Sequence, residues 1–488
     1  MVGFGKIFKI LLGCLSLLMV GVHAEIVNKS EVGSLPRELT FEVWLNQQST
    51  RSIAGILQNV MPHGAFSASP SKQNPDYFYH WVRDSGLVID KIRSLYTEAQ
   101  DEEKQAFYKN ILDKFIEFSR RLQLTENLSG GLGEPKFHID GSPYNLSWGR
   151  PQHDGPALRA ISLIKLAHHE LAKKDGLQWV KSNLYDGKLP SNTLIKVDLE
   201  FISDHWRQSS FDLWEEIKGD HFYTRLVQRR ALLDGAELAD ILGDLGAAFW
   251  YRLQARQLEI ALQKHWNAKI ATIVPTLHTT RDDRYKRAGL DSAVILAVLH
   301  AHHYSDTFFT LSDEKVLSTL RNIRKGFEKL YPINNHQNMA PAIGRYPEDS
   351  YDGYSSDQQG NPWTLAICAF AEFHYRLASE FMQKGVVQIG SIALPFFQEL
   401  DTADLIHIKA GGHYQKNSRE FDAIIRALRK TGDAYLERLK YHVPEDLSLA
   451  EQINKDKGYM QGAPDLAWSY LSFLTANEQR NILIGTKY

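Results

Sequence analysis

Residues 211–219 read FDLWEEIKG. Two adjacent carboxyls, Glu215 and Glu216, follow Trp214, with Asp212 just before them and Lys218 just after. If the stretch is helical, successive side chains point about 100° apart, so Glu215 and Glu216 cannot both face one bond. One is then free to act as an acid while the other binds. A carboxyl beside Trp214 and a like-charged neighbour is disfavoured as an anion, which raises its pKa and suits it to hold a proton near neutrality. The plainer reading is a solvated pair of glutamates at a helix start, where the macrodipole favours acidic residues.

On both sides of this stretch apolar residues recur with helical spacing, and alternating runs of the strand type are almost absent, so the chain is expected to be all-α. The pattern predicts twelve helices, over 40–60, 83–98, 103–124, 154–174, 191–206, 222–240, 244–266, 289–303, 312–330, 362–384, 417–441 and 465–476. Between alternate helices lie long polar or Gly/Pro-rich connections, at 61–80, 129–153, 206–220, 340–362 and 444–464. Loops of that length are uncommon in a compact domain unless they carry function, so these five are expected to gather on one face. Trp81, Trp148, Trp214, Trp363 and Trp468 sit in or beside them, which favours contact with a ligand over core packing for these five rings.

The 488 residues can bury a large core. A net charge of −2 and 43% hydrophobic residues give no field that would favour nucleic acid or an anionic membrane, so a neutral ligand fits best. Lys6 and Lys9 precede an apolar run from Ile10 to Val22 and a small residue, Ala24. Residues 1–24 therefore read as a cleavable secretory leader, too short for a membrane span, and the mature chain is expected outside the cell or in a periplasm. Loss of the leader removes Cys14 and leaves Cys368, in an apolar run, as a buried inert thiol. Residues 25–488 then form one domain with no linker or added module, expected as a monomer.

Four further stretches carry chemistry. In NPDYFYHWVRDSG (74–86), Tyr77 and Trp81 can form a wall while Arg83 and Asp84 offer donors and an acceptor to vicinal hydroxyls; a helix-capping Asp84 and a salt-bridged Arg83 are the structural alternative. In WGRPQHDGPALRA (148–160), Trp148 and Arg150 precede a turn that starts a helix. GRYPEDSYDG (344–353) holds Arg345 with Glu348 and Asp349, so Arg345 either binds hydroxyls or pairs with those carboxylates. Finally, Glu451 and Gln452 precede a loop, and Trp468 opens the last helix.

Taken together and in order, these motifs resemble those of the glucoamylases, inverting exo-acting glucosidases of glycoside hydrolase family fifteen. The similarity runs from about Asn74 to Ala476, and GLGEPKF before WGRPQ is most like the yeast-type members. The resemblance implies an (α/α)6 barrel of six inner and six outer helices with the site at one end. It implies Glu215 as general acid and Glu451 as general base, with Tyr77, Trp81, Arg83, Asp84, Trp148, Leu213, Trp214, Glu216, Arg345 and Trp468 lining the pocket for a terminal glucose. Lys455 and Lys457, close in sequence to Glu451, would help keep it ionised if they face it, the alternative being that both point to solvent. The implied substrates are starch, glycogen and maltooligosaccharides, cut at α-1,4 and more slowly at α-1,6 linkages.

A relative acting on another α-glucosidic linkage, a trehalase or a glucodextranase, would use the same terminal-glucose residues. A glycan-binding protein without catalysis would not need both carboxyls. His168–His169 and His300, His302 and His303 lack the HExxH pattern, so no metal is expected, and the absence of a Gly-rich phosphate loop or dinucleotide fingerprint predicts no cofactor.

Overall fold

A computed structural model describes residues 36–279, 286–335, 339–400 and 407–485. The expected leader and Cys14 lie outside the described residues. Fourteen helices dominate them: α1 Phe41–Gln58, α2 Val82–Glu98, α3 Glu102–Leu124, α4 Gly155–Leu171, α5 Gly176–Asn183, α6 Leu194–His205, α7 Phe222–Leu242, α8 Leu245–Gln263, α9 Ala293–His300, α10 Glu314–Glu328, α11 Thr364–Lys384, α12 Leu394–Gln398, α13 Arg419–His442 and α14 Ala467–Ile484. The twelve helices expected from periodicity are all present. α5 and α12 escaped that reading, because GLQWVKSN holds few apolar residues and LPFFQ is little more than one turn, whereas α9, no longer than α5, is almost wholly apolar.

Six helices close a ring by packing in the order α2, α4, α7, α9, α11, α14 and back to α2. They are buried on nearly every side, as in α11, where residues from Thr364 to Tyr375 are all buried. The other six long helices alternate with them along the chain and pack outside, for example α8 on α7, α13 on α11 and α1 on α14. The fold is the expected (α/α)6 barrel. Outer helices with one exposed face and inner ones buried nearly all round are what two concentric rings require, and the inner helices bury charged residues too, such as Arg229 and Arg230 of α7. Cys368, in α11, is fully buried, and burial pushes its thiol pKa up.

Helix ends differ between the rings. Five outer helices begin with a side-chain cap, from Thr40, Asp101, Asp244, Asp313 and Ser418, each contributing about 1 kcal/mol. No inner helix is capped by the side chain of its own N-cap residue. Their leading N–H groups donate instead to the connection that enters the next inner helix of the ring: Val82 to Pro135, Phe222 to Pro275, Ser292 to Arg345, Thr364 to Glu451 and Ala467 to Ala68. Short antiparallel pairs add to this lacing, His80–Trp81 with Lys136–Phe137 and Lys218–His221 with Thr276–Leu277. All connections entering inner helices are thereby bound into one end of the barrel.

The five long connections foreseen from sequence are all of this type. A sixth, between α8 and α9, completes the set and was not foreseen.

Candidate active site

At that end the connections enclose a cavity of about 640 Å³. All twelve residues that the resemblance implied line it, as does Trp363, the fifth of the tryptophans expected there, joined by Tyr79, Lys136, Tyr144, Tyr351 and Tyr354 among others. The tryptophans stand in its wall, four of them buried and Trp148 partly so, against one another and neighbouring rings: Trp81 meets Trp148 at 6.3 Å between ring centroids, and Trp214 meets Trp363 at 5.4 Å. A polar cleft walled by aromatic rings suits a ligand with apolar faces and hydroxyl edges.

The stretch FDLWEEIKG is not a helix. Ser210–Phe211 pairs with Lys218–Gly219 as a narrow hairpin, and residues 212–217 make its turn. Asp212 holds that turn from inside, its Oδ1 accepting the N–H groups of Glu216 at 2.8 Å and Ile217 at 3.0 Å. Glu215 sits at its tip with φ of 69°, in the left-handed region that costs a non-glycine residue about 1 kcal/mol or more. The expectation that the two glutamates diverge holds, but through this turn and not through a helical twist.

Glu215 is surrounded by donors. Trp81 Nε1 donates to Oε1 at 2.8 Å, Trp148 Nε1 to Oε2 at 2.7 Å, and Arg83 Nη2 to Oε1 at 3.2 Å. Gly149 is required beside it, since a Cβ there would lie 2.4 Å from the Glu215 carbonyl oxygen. Glu216 points elsewhere, accepting from Arg345 Nη2 at 2.7 Å and the Tyr346 hydroxyl at 2.6 Å. Burial raises its pKa, against the pull of Arg345. Arg345 also pairs with Asp349 through Nε and Nη2, at 2.8 and 2.5 Å, which is the carboxylate pairing read as one alternative in the sequence. Glu348 is not its partner and accepts the N–H of Ala288.

Arg83 spans Gln152, Asp154 and Glu215 and lies 3.4 Å from Asp84. Asp84 is the third residue of α2 and does not cap it. Burial lifts its pKa to about 6 although Arg83 pulls it down, and its Oδ2 has no hydrogen-bond partner. Lys136, unremarked in the sequence, is enclosed by Tyr79, Trp81, Tyr144 and Trp148, its ammonium 3.2 Å from the Trp148 ring centroid. Burial lowers its pKa to about 8, with Glu215 opposing.

Across the cavity, Glu451 is 1% exposed. Its backbone is fixed by the bond from Thr364 and by its own N–H on Ala463 O. Gln452 Nε2 approaches Oε2 at 3.3 Å, and Oε1 has no partner. Burial pushes this carboxyl up to about 8, while Tyr77 and Arg345 pull it down. The lysines expected to act on it do not: Lys455 faces Asp456 at 3.6 Å, Lys457 is exposed, and the influential cation is Arg345.

The order of the ring sets these carboxyls apart. Glu215 comes from the connection into α7 and Glu451 from that into α14, which are opposite members of the six.

A model of the glycosyl hydrolases of family 15 matches residues 49–478. The chain belongs to this family. It is 38% identical over 435 residues to a glucoamylase of Blastobotrys adeninivorans, covering 87% of this chain and 68% of that one. Among solved structures it is similar to a family 15 glucoamylase from Hypocrea jecorina, with a TM-score of 0.82, 34% identity, and coverage of 91% of this chain and 73% of the other. The glucoamylase of Saccharomycopsis fibuligera superposes with a TM-score of 0.81 at 31% identity, covering 94% and 99%. Yeast-type members are thus among the relatives of this family 15 chain, and its reading as a glucan 1,4-α-glucosidase, a hydrolase, stands with them.

Proposed function

We propose that the protein is an inverting exo-glucosidase that releases β-D-glucose from the non-reducing ends of α-1,4 glucans such as starch, glycogen and maltooligosaccharides, and more slowly from α-1,6 linkages. The observation that carries this reading is the placement of Glu215 and Glu451 in the wall of one cavity, on connections into opposite inner helices. Inversion needs a protonated carboxyl at the glycosidic oxygen and a carboxylate across the ring, about 6.5–9.5 Å away, holding a water.

Glu215 is the general acid. Three donors fix its orientation, and its proton goes to the glycosidic oxygen as the C1–O bond breaks. Glu451 is the general base. Its unpartnered Oε1 is the acceptor for a proton of the attacking water, whose oxygen bonds to C1 from the opposite face. A water donating to Oε1 favours the anion and counteracts the burial that lifts this pKa. Arg83, Asp84, Glu216 and Arg345 provide donors and acceptors for the hydroxyls of the terminal glucose, and the tryptophans cover its apolar faces. The leader-like first residues support export of the mature protein.

A proton NMR time course on a linear α-1,4 glucose oligomer tests this. Early β-glucose, released one unit at a time, is expected. Early α-glucose would mean retention and reject the mechanism. Release from trehalose or an α-1,6 glucan alone would keep the fold and move the substrate.

A further inference from the structure

Behind the cavity wall a single ammonium joins two buried carboxylates. Lys286, on the unforeseen sixth connection, lies 2.8 Å from Asp212 Oδ2 and 2.6 Å from Asp291 Oδ2. Asp212 is the residue whose other oxygen holds the turn that carries Glu215 and Glu216. Asp291 accepts the indole N–H of Trp214, from that same turn, at 3.0 Å, and the N–H of Ala293 at the start of α9 at 2.8 Å. The ammonium also lies 5.0 Å from the ring centroid of Tyr346, whose hydroxyl donates to Glu216. Lys286 does not line the cavity.

We infer that Lys286 is a positioning residue for the reaction, clamping Asp212 to Asp291 so that the turn presents the Glu215 carboxyl to the substrate. This rests on the role proposed for Glu215. Two carboxylates buried this deeply cannot share a site as anions without a cation between them. Burial disfavours the charged form of Asp212, yet Lys286 and the backbone donors hold its pKa well below the usual range. For Asp291 burial prevails over Lys286 and the pKa rises. Remove the ammonium, and one carboxyl must take up a proton or move apart from the other. Either change loosens Asp212 on the turn or Asp291 on Trp214, and the tip at Glu215 has the least tolerance because its backbone is already strained.

The test is Lys286→Met in the full chain, read in two ways. The indole N–H resonances of Trp81 and Trp148 report the Glu215 carboxyl directly, since each donates to one of its oxygens. Both are expected to shift, and kcat on maltotriose to fall about 100-fold with KM within about threefold, as for a misplaced catalytic group. Lys286→Arg should restore most of both, which repair of a merely structural defect elsewhere would not predict. Unmoved Trp81 and Trp148 resonances in folded Lys286→Met would overturn the inference, whatever happens to kcat. If Lys286→Met does not fold, Asp291→Asn is read by the same two resonances, with the same expected shift and the same contrary result. A wild-type protein that releases no glucose from any α-glucan would reject the proposed function, and the resonances would still decide the positioning.

Discussion

The indole of Trp148 donates to Oε2 of Glu215 across 2.7 Å, while Oε1 accepts from Trp81 and Arg83. Both oxygens of the proposed acid are therefore acceptors for nitrogen donors, and the acid is aimed by rings that also wall the pocket. An amide cannot reproduce this, because one end of it is itself a donor.

Glu215→Gln should lower kcat by about 1000-fold or more, since the proton for the leaving oxygen is gone. It should also set its amide N–H₂ against one indole N–H, so maltose binding is expected to weaken, by less than about tenfold. Single-turnover rates and calorimetric titration with maltose separate the two effects. Turnover within tenfold of wild type would remove Glu215 from the acid role.

Tyr77→Phe addresses the base. The Tyr77 hydroxyl favours the charged form of Glu451, so its loss raises that carboxyl further above its ordinary value. The base works deprotonated, and activity falls as pH drops through its pKa. The acidic limb of kcat/KM is therefore expected to move to higher pH, by about half to one unit, one unit corresponding to about 1.4 kcal/mol. A limb that stays in place or moves to lower pH would separate Tyr77 from Glu451.

Gly149→Ala tests the packing of the turn. The new Cβ would lie 2.4 Å from the Glu215 carbonyl oxygen and 3.0 Å from the Phe211 ring, in backbone and hairpin that have little room to yield. A cost of about 1–3 kcal/mol in stability is expected, as for overpacking elsewhere, together with a fall in kcat larger than the change in KM. Thermal melts and steady-state kinetics check both, and unchanged values would show the turn to be freely movable.

What could be read in the sequence divides along physical lines. The twelve helices of the two rings were legible because all but α9 present several turns of one apolar pattern and α9 is almost wholly apolar, and the site residues because they cluster in connections too long for plain turns. The turn at 212–217 was not: an aspartate that caps two N–H groups of a hairpin tip looks the same in sequence as an acidic helix start. Nor were the partners of Glu451, because nearness in sequence pointed to Lys455 and Lys457 while the acting cation, Arg345, is 106 positions away. Lys286 and Lys136 were passed over as well, since Asp212 lies 74 positions from Lys286 on another connection and the rings around Lys136 come from two connections, Trp81 from one and Trp148 from the other.

Glu451→Gln extends the argument from function to stability. With 1% exposure, Glu451 has its pKa lifted from 4.5 to about 8, chiefly by burial. Below about pH 4.5 the carboxyl is neutral in folded and unfolded chains alike, and burial then carries no penalty for charge. As pH rises, the unfolded chain releases the proton freely while the folded one retains it, so the stability associated with this group is lost progressively until the folded pKa is passed, at up to about 1.4 kcal/mol per pH unit. Glutamine has the same shape and does not titrate. The variant should therefore be nearly inactive, match the wild-type Tm near pH 4, and exceed it near pH 8. The carboxylate would then be a group kept for catalysis at a cost to the fold, as active-site charges commonly are. Melting curves at the two pH values decide the matter: a variant no more stable than wild type at pH 8 would mean that the pocket solvates the Glu451 anion, and that its pKa in the working enzyme lies near that of an ordinary carboxylate.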